Sequence, residues 1–151
     1  MERTGLSLVC RVRGSFCALP LADVVETARL LPVEPLAAAP DFVRGLSIIR
    51  GAAVPVIDAS VLITGQPSEA RRLVVIAAGG RKIALAVDEI VGVRTIPPDR
   101  FGDLPPLLRN ARRSVVETIG TLDAELFMLL NTARILPDEF FEAIEATRRA
   151  S

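Results

Sequence analysis

Apolar and polar positions alternate with a period of two over Leu6 to Val12, L-S-L-V-C-R-V, and a second apolar run, S-F-C-A-L-P-L, covers Ser15 to Leu21. That period predicts strands with one buried face. Arg13-Gly14 between the runs is a two-residue connection suited to a β-hairpin. In that register Cys10 faces Cys17 and Leu8 faces Leu19. Leu8, Cys10, Val12, Cys17 and Leu19 then form one apolar face. The two cysteines read as small core residues, facing each other in a hydrogen-bonded pair close enough for a disulfide.

The same pattern recurs. Ala22 to Leu31 predicts a short helix-like turn running into a strand, and Pro32 to Pro40 is a proline- and alanine-rich loop. Phe42 to Ile49 and Val54 to Ile57 predict two strands around a tight turn at Arg50-Gly51, where glycine supplies a positive φ. Pro55 cannot donate to a ladder, which places it at a sheet edge, a strand start or a bulge. Ala59 to Ile63 predicts one helical turn capped by Asp58. After a linker at Gly65 to Ala70, Arg71 to Val93 predicts another hairpin with Gly79-Gly80 at its turn. Val115 to Leu136 holds two further strands around Asp123-Ala124, and Asp138 to Ala150 reads as an amphipathic helix.

The halves echo each other. Gly14 to Pro32 aligns with Gly80 to Pro98 at a constant offset of 66 residues, and V-P-V-I-D-A at Val54 to Ala59 corresponds to F-M-L-L-N-T at Phe127 to Thr132. Each half predicts about five strands, enough for a small closed barrel. A barrel of about 65 residues is marginal alone, so the apolar surplus predicts two halves fused along a shared seam. Whether a strand is exchanged between them is left open.

Composition narrows the function. The chain has 151 residues and no histidine, tryptophan or tyrosine, and its 18 basic residues balance 18 acidic ones. Zero net charge and few aromatics argue against nucleic acid as the partner. No apolar run approaches the roughly 20 residues of a membrane span, and Arg11 and Arg13 interrupt any signal-peptide core. The expectation is a cytoplasmic protein with reduced thiols. Without histidine there is no Ser-His-Asp or Cys-His arrangement and no four-ligand Cys/His zinc set. Val56 to Ser60 hints at an aspartic-protease lobe, but that chemistry needs paired carboxylates, and the repeat partner of Asp58 is Asn131. The expectation is no catalysis, no metal and no cofactor, with Asp58 a cap.

The stretch G-L-S-I-I-R-G-(x)3-P-V-I-D resembles the matching segment of the chemotaxis coupling proteins, the CheW-like domain family, typically G-[LVI]-x-N-L-R-G-x-x-[VI]-P-V-[IVL]-D. Gly45, Leu46, Ile49, Arg50, Gly51, Val54, Pro55, Val56, Ile57 and Asp58 fit it. Ile48 stands where the family usually has asparagine. The resemblance covers most of the chain. It implies an all-β fold of two similar five-stranded SH3-like barrels sharing a hydrophobic core, with a short C-terminal helix. In sequence terms this is a single domain over 1–151, with subdomains at 5–64 and 71–136 and the helix at 137–150.

The resemblance further implies a non-enzymatic adaptor that docks the cytoplasmic tip of chemoreceptors in a groove between the barrels and joins the regulatory domain of a histidine kinase. The alternatives are a related scaffold in a non-motility pathway (pili, gliding or second-messenger control), or a small aspartic-protease-like enzyme. The partner-binding residues it implies are Arg50 held by Gly51, Ile48 beside them, Arg44-Gly45, and Val24 with Glu26. On physical grounds Arg50 must project outward, because it lies between buried strands and an unpaired buried charge is strongly disfavoured.

Overall fold

The computed structural model describes residues 6–78, 80–95, 101–102, 116–122, 125–130, 135 and 142. Strands β1 (Leu6–Val12) and β2 (Ser15–Pro20) form the first hairpin, and a 3-10 turn (Leu21–Asp23) leads into β3 (Val24–Arg29). β4 (Val43–Ile49) and β5 (Ala52–Asp58) form the second hairpin, which ends in the short helix α1 (Ala59–Thr64). β6 (Arg72–Ala78), β7 (Arg81–Val87) and β8 (Glu89–Thr95) follow, then β9 (Phe101–Gly102), β10 (Val116–Leu122) and β11 (Glu125–Leu130). The helix expected over 137–150 lies outside the described residues apart from Glu142, which is helical.

The hairpin registers follow from their turns. Cys10 pairs with Cys17 and Leu8 with Leu19. Arg13 and Gly14 both have positive φ, 47° and 78°, as a two-residue turn matching the twist of its strands requires. Asp58 caps α1 as expected: its Oδ1 accepts from the amides of Ser60 and Val61 at 3.0 and 3.1 Å.

The strands assemble into two sheets, in the orders β8-β1-β2-β11-β10-β9 and β3-β6-β7-β5-β4. Membership crosses the boundary between the halves. The β1–β2 hairpin takes β8 and β11 as its neighbours, while β6–β7 takes β3 and β5. The division into 5–64 and 71–136 is therefore a division of the sequence, not of the sheets. The repeat survives in the pairing. β8 bulges at Val91 against Val9 and Cys10 of β1, and β3 bulges at the matching Val25 against Val75 and Ile76 of β6. The parallel pairings also correspond: Ala18 with Leu129, and Ala84 with Val56.

Alternation within each strand divides the apolar residues between two cores. Leu8, Cys10, Cys17 and Leu19 of the six-stranded sheet meet Ile57, Val74, Ile76, Ile83 and Leu85 of the five-stranded one, which fills the space between the sheets. This is the shared core that the apolar surplus predicts. The opposite face of the five-stranded sheet carries Ile49, Val54, Val56, Leu73, Val75 and Ala84, a second core. Each large aliphatic buried in this way contributes about 1.5–3 kcal/mol.

Both cysteines are fully buried free thiols in the inter-sheet core. Hydrogen bonding to Cys10, then burial, push the Cys17 thiol well above its ordinary range, so Cys17 offers no ready thiolate. Pro55 corrects an expectation, because β5 is a central strand. The parallel ladder with β7 begins only at Val56. Counting out from the Ile49–Ala52 pair that closes the turn, Leu46 with Pro55 is a non-hydrogen-bonded pair. No neighbour needs the amide that Pro55 lacks.

Candidate partner-docking site

The β4–β5 turn is built by two residues in the left-handed region, Arg50 at φ 54° and Gly51 at φ 79°. Only glycine adopts such a φ freely, and Arg50 does so at a cost. The Arg50 side chain is engaged in an ion pair. Arg50 Nε donates to Glu26 Oε2 and its Nη2 to Oε1, both at 3.1 Å. This two-pronged geometry matches guanidinium to carboxylate. Glu26 lies on β3 and Arg50 at the end of β4, the two opposite edges of the five-stranded sheet. The chain beyond β3 also pairs with β4 at Glu34–Leu46. The sheet thus curls until its edges meet around the second core, and the Glu26–Arg50 pair lies across the closure.

Arg50 projects outward as expected, with 76% of its side chain accessible, but it is not a solitary arginine. It forms one unit with Glu26. Hydrogen bonds from Arg50, then the Arg50 and Lys82 charges, hold the Glu26 carboxyl below its ordinary value, with partial burial opposing them. The same pairing raises Arg50. Ile48 stands beside this unit and is 68% exposed, the most exposed of the large hydrophobic residues described. Its neighbours hold it rigid: the Ser47 hydroxyl donates to the Pro32 carbonyl at 2.7 Å, and Ile49 is buried in the second core.

The other expected contact residues lie elsewhere. Arg44 is the extra residue of a bulge in β4, between the pairs Val43–Ile57 and Gly45–Val56. Its Nε and Nη2 both reach Asp58 Oδ2, at 3.1 and 3.0 Å, and Nη2 reaches the Ser68 carbonyl at 3.5 Å. It therefore ties the hairpin to the α1 cap. Gly45 has φ 142°, and a Cβ there would overlap the Glu34 carbonyl and come within 2.9 Å of Pro35 Cα. Its role is close passage of the loop over β4. Val24 packs half-buried against the inter-sheet core, on the opposite face of β3 from Glu26.

Sequence reasoning assigned Asp58 to the cap and missed its second partner. The signal was present: a two-residue turn at 50–51 sets Arg44 opposite Ile57, one residue from Asp58. The Glu26–Arg50 pair had no such signal, because it depends on curvature that joins strands distant in sheet order.

An ion pair beside an exposed isoleucine on a β scaffold makes this hairpin tip a candidate protein-binding surface. Residues 7–140 match the family model described as the CheW-like domain, and the chain belongs to that family. Similar curated proteins include the chemotaxis protein CheW of Rhizobium meliloti, 24% identical over 131 residues that cover 85% of this chain and 84% of that protein. Chemotaxis protein CheW of Klebsiella aerogenes is 24% identical over 110 residues, covering 71% and 66% respectively. Among solved structures, the scaffolding protein TtCheW from Thermoanaerobacter tengcongensis superposes with a TM-score of 0.76 at 21% identity, over 87% of this chain and 92% of that one. Among the described residues no helix is long and apolar enough to cross a membrane.

Proposed function

We propose that this chain is a non-enzymatic cytoplasmic adaptor that couples the cytoplasmic tip of chemoreceptors to the regulatory domain of a histidine kinase. Membership of the CheW-like family over residues 7–140 is the observation that carries this reading. The local geometry supports it. A hairpin tip preset by positive φ, a clamped arginine and an exposed isoleucine lose little freedom on docking, which favours affinity. These 151 residues hold no histidine that could accept a phosphoryl group. An adaptor with no reaction of its own acts by raising effective concentration and biasing its partner's conformations.

The test is reconstitution of the purified protein with a receptor cytoplasmic fragment and the kinase. Binding is measured for each partner, and kinase activity for the three together. The parent protein binds both partners. Arg50→Ala keeps the parent's fold by circular dichroism and weakens binding of at least one partner by about tenfold or more, as expected of an interface arginine. Failure of the parent to bind either partner overturns the adaptor reading. Undiminished binding of both by Arg50→Ala removes Arg50 from the interface.

A further inference from the structure

Among the described residues four ladders join the two halves of the chain: β1 with β8, β2 with β11, β3 with β6 and β5 with β7. The inter-sheet core is shared in the same way. Leu8, Cys17 and Ile57 of the first half meet Val74, Ile76 and Leu85 of the second. The covalent connection is the segment 65–70, from the end of α1 to the approach to β6. None of the joining contacts involves it. The first half of one copy would therefore find the same ladders and the same core against the second half of another.

In the closed chain that segment follows a bonded path. Gly65 ends α1 at φ 80°, its amide donating to the Val61 carbonyl at 2.9 Å, and Ala70 is buried in the second core. Between them Gln66, Pro67 and Glu69 are exposed, yet three successive carbonyls are anchored. Ser60 Oγ donates to the Gln66 carbonyl at 2.5 Å, Arg13 Nη1 to the Pro67 carbonyl at 3.0 Å, and Arg44 Nη2 to the Ser68 carbonyl at 3.5 Å. Those donors belong to the first half. Asp88 of the second half accepts from the Ser68 hydroxyl at 2.6 Å. The segment is thus a strap tied to both halves. A connection stretched toward another copy must leave this path and gives up part of the set.

We propose that this chain forms a reciprocal dimer with a second copy of itself, each lobe built from β1 to α1 of one copy and β6 to β11 of the other, and that the strap over residues 66–68 restrains it to the closed, single-chain form. The two forms share the ladders and both cores, so they differ only at the connection and in the concentration each half offers the other. A short connection holds its halves at an effective concentration on the order of millimolar, which favours the closed chain in dilute solution. The strap adds to that preference, and each of its hydrogen bonds counts twice in the dimer, once per copy. Passing from one form to the other separates interlaced strands, which amounts to unfolding. The dimer is therefore made during folding at high concentration and persists once made.

Refolding the full chain from urea over a series of protein concentrations, with light scattering after size exclusion, tests this. The parent is expected to refold as monomer in dilute solution and to give dimer as the concentration approaches the millimolar range. The double variant Arg13→Ala/Ser68→Ala cuts two anchors of the strap and leaves the main chain intact. It is expected to reach the same dimer fraction at a concentration lower by about tenfold or more. A chain lacking Gln66, Pro67 and Ser68 has too short a connection for the closed path and is expected to be dimeric at every concentration, with the parent's circular dichroism. If that chain fails to fold, the double variant decides. Isolated dimer should remain dimer on dilution and dissociate only at the urea concentration that unfolds it. Dimer that returns to monomer on dilution in native buffer is a surface contact and overturns the proposal. So does monomer throughout, in the parent and the double variant or in the shortened chain with the parent's spectrum. The same concentration dependence for parent and double variant overturns the strap as the restraint.

Discussion

Asp58→Ala is the substitution with the widest structural consequence. One carboxylate, 6% accessible, accepts two amides of α1 through Oδ1 and two guanidinium nitrogens of Arg44 through Oδ2. Loss of a capping side chain costs about 1 kcal/mol. Stranding the partner of a fully buried ion pair costs about 3–5 kcal/mol. Arg44 is 29% accessible, so water and the Ser68 carbonyl recover part of that, leaving roughly 2 kcal/mol. The sum is about 3 kcal/mol, equivalent to roughly 6–12 °C in Tm for a chain of this size. Asp58→Asn keeps an acceptor for the cap and loses only the charge, for about half the cost. Urea denaturation of the parent, Asp58→Ala, Arg44→Ala and the double variant measures both terms. The double-mutant cycle should show coupling of about 1–2 kcal/mol, because removing Asp58 costs less once Arg44 is gone. Additivity within about 0.5 kcal/mol, or a loss from Asp58→Ala below about 1 kcal/mol, would refute the reasoning.

Gly45→Ala puts a Cβ into the Glu34 carbonyl at a backbone φ of 142°. The obstacle is main chain rather than a movable side chain, so a loss of roughly 2–4 kcal/mol is expected in the same denaturation assay; a loss under 1 kcal/mol, on the order of a surface change, would show that the loop yields freely. The Glu26 carboxyl is held below the ordinary 4.5, so its pairing with Arg50 stabilises the fold fully above that pH and is lost as pH falls through the lowered value. Melts between neutral and acid pH should therefore show a steeper acid decline for the parent than for Glu26→Gln. Identical profiles would mean that the pair adds nothing to folding.

The local part of the fold was legible because short-range rules decide it. Period-two runs, the Arg13-Gly14 and Arg50-Gly51 turns and the Asp58 cap each depend on residues a few positions apart, and the structure has them in the expected register. The duplication was legible too, but a repeat shows which strands correspond, not which strands pair. The exchange of β3 and β8 depends on which edge each strand meets in space, which no spacing encodes. The candidate site was half legible for the same reason. Arg50, Gly51 and Ile48 come from one hairpin. The place of Glu26 beside them follows from curvature of the whole sheet. Arg44, flagged by its place in the motif, is the extra residue of a bulge in β4 and is tied to Asp58, while Gly45 lies against the Glu34 carbonyl.

The exchange has a consequence for how the molecule holds together. Cut anywhere in residues 65–70, the first piece would keep the β1–β2 hairpin without the two strands that flank it, and β3 with no ladder partner. The second would keep β6–β7 stripped of both neighbours. Neither piece can close a core, so the halves are not units of folding although they are units of sequence. Unfolding must be a single event, and folding must wait for contacts between residues far apart in the chain, which makes it slow for a protein of this length. The same interlacing makes the molecule mechanically one body: β3 is covalently continuous with one hairpin and hydrogen-bonded to the other, and β8 is its mirror. A load applied to either strand is carried at once into both sheets.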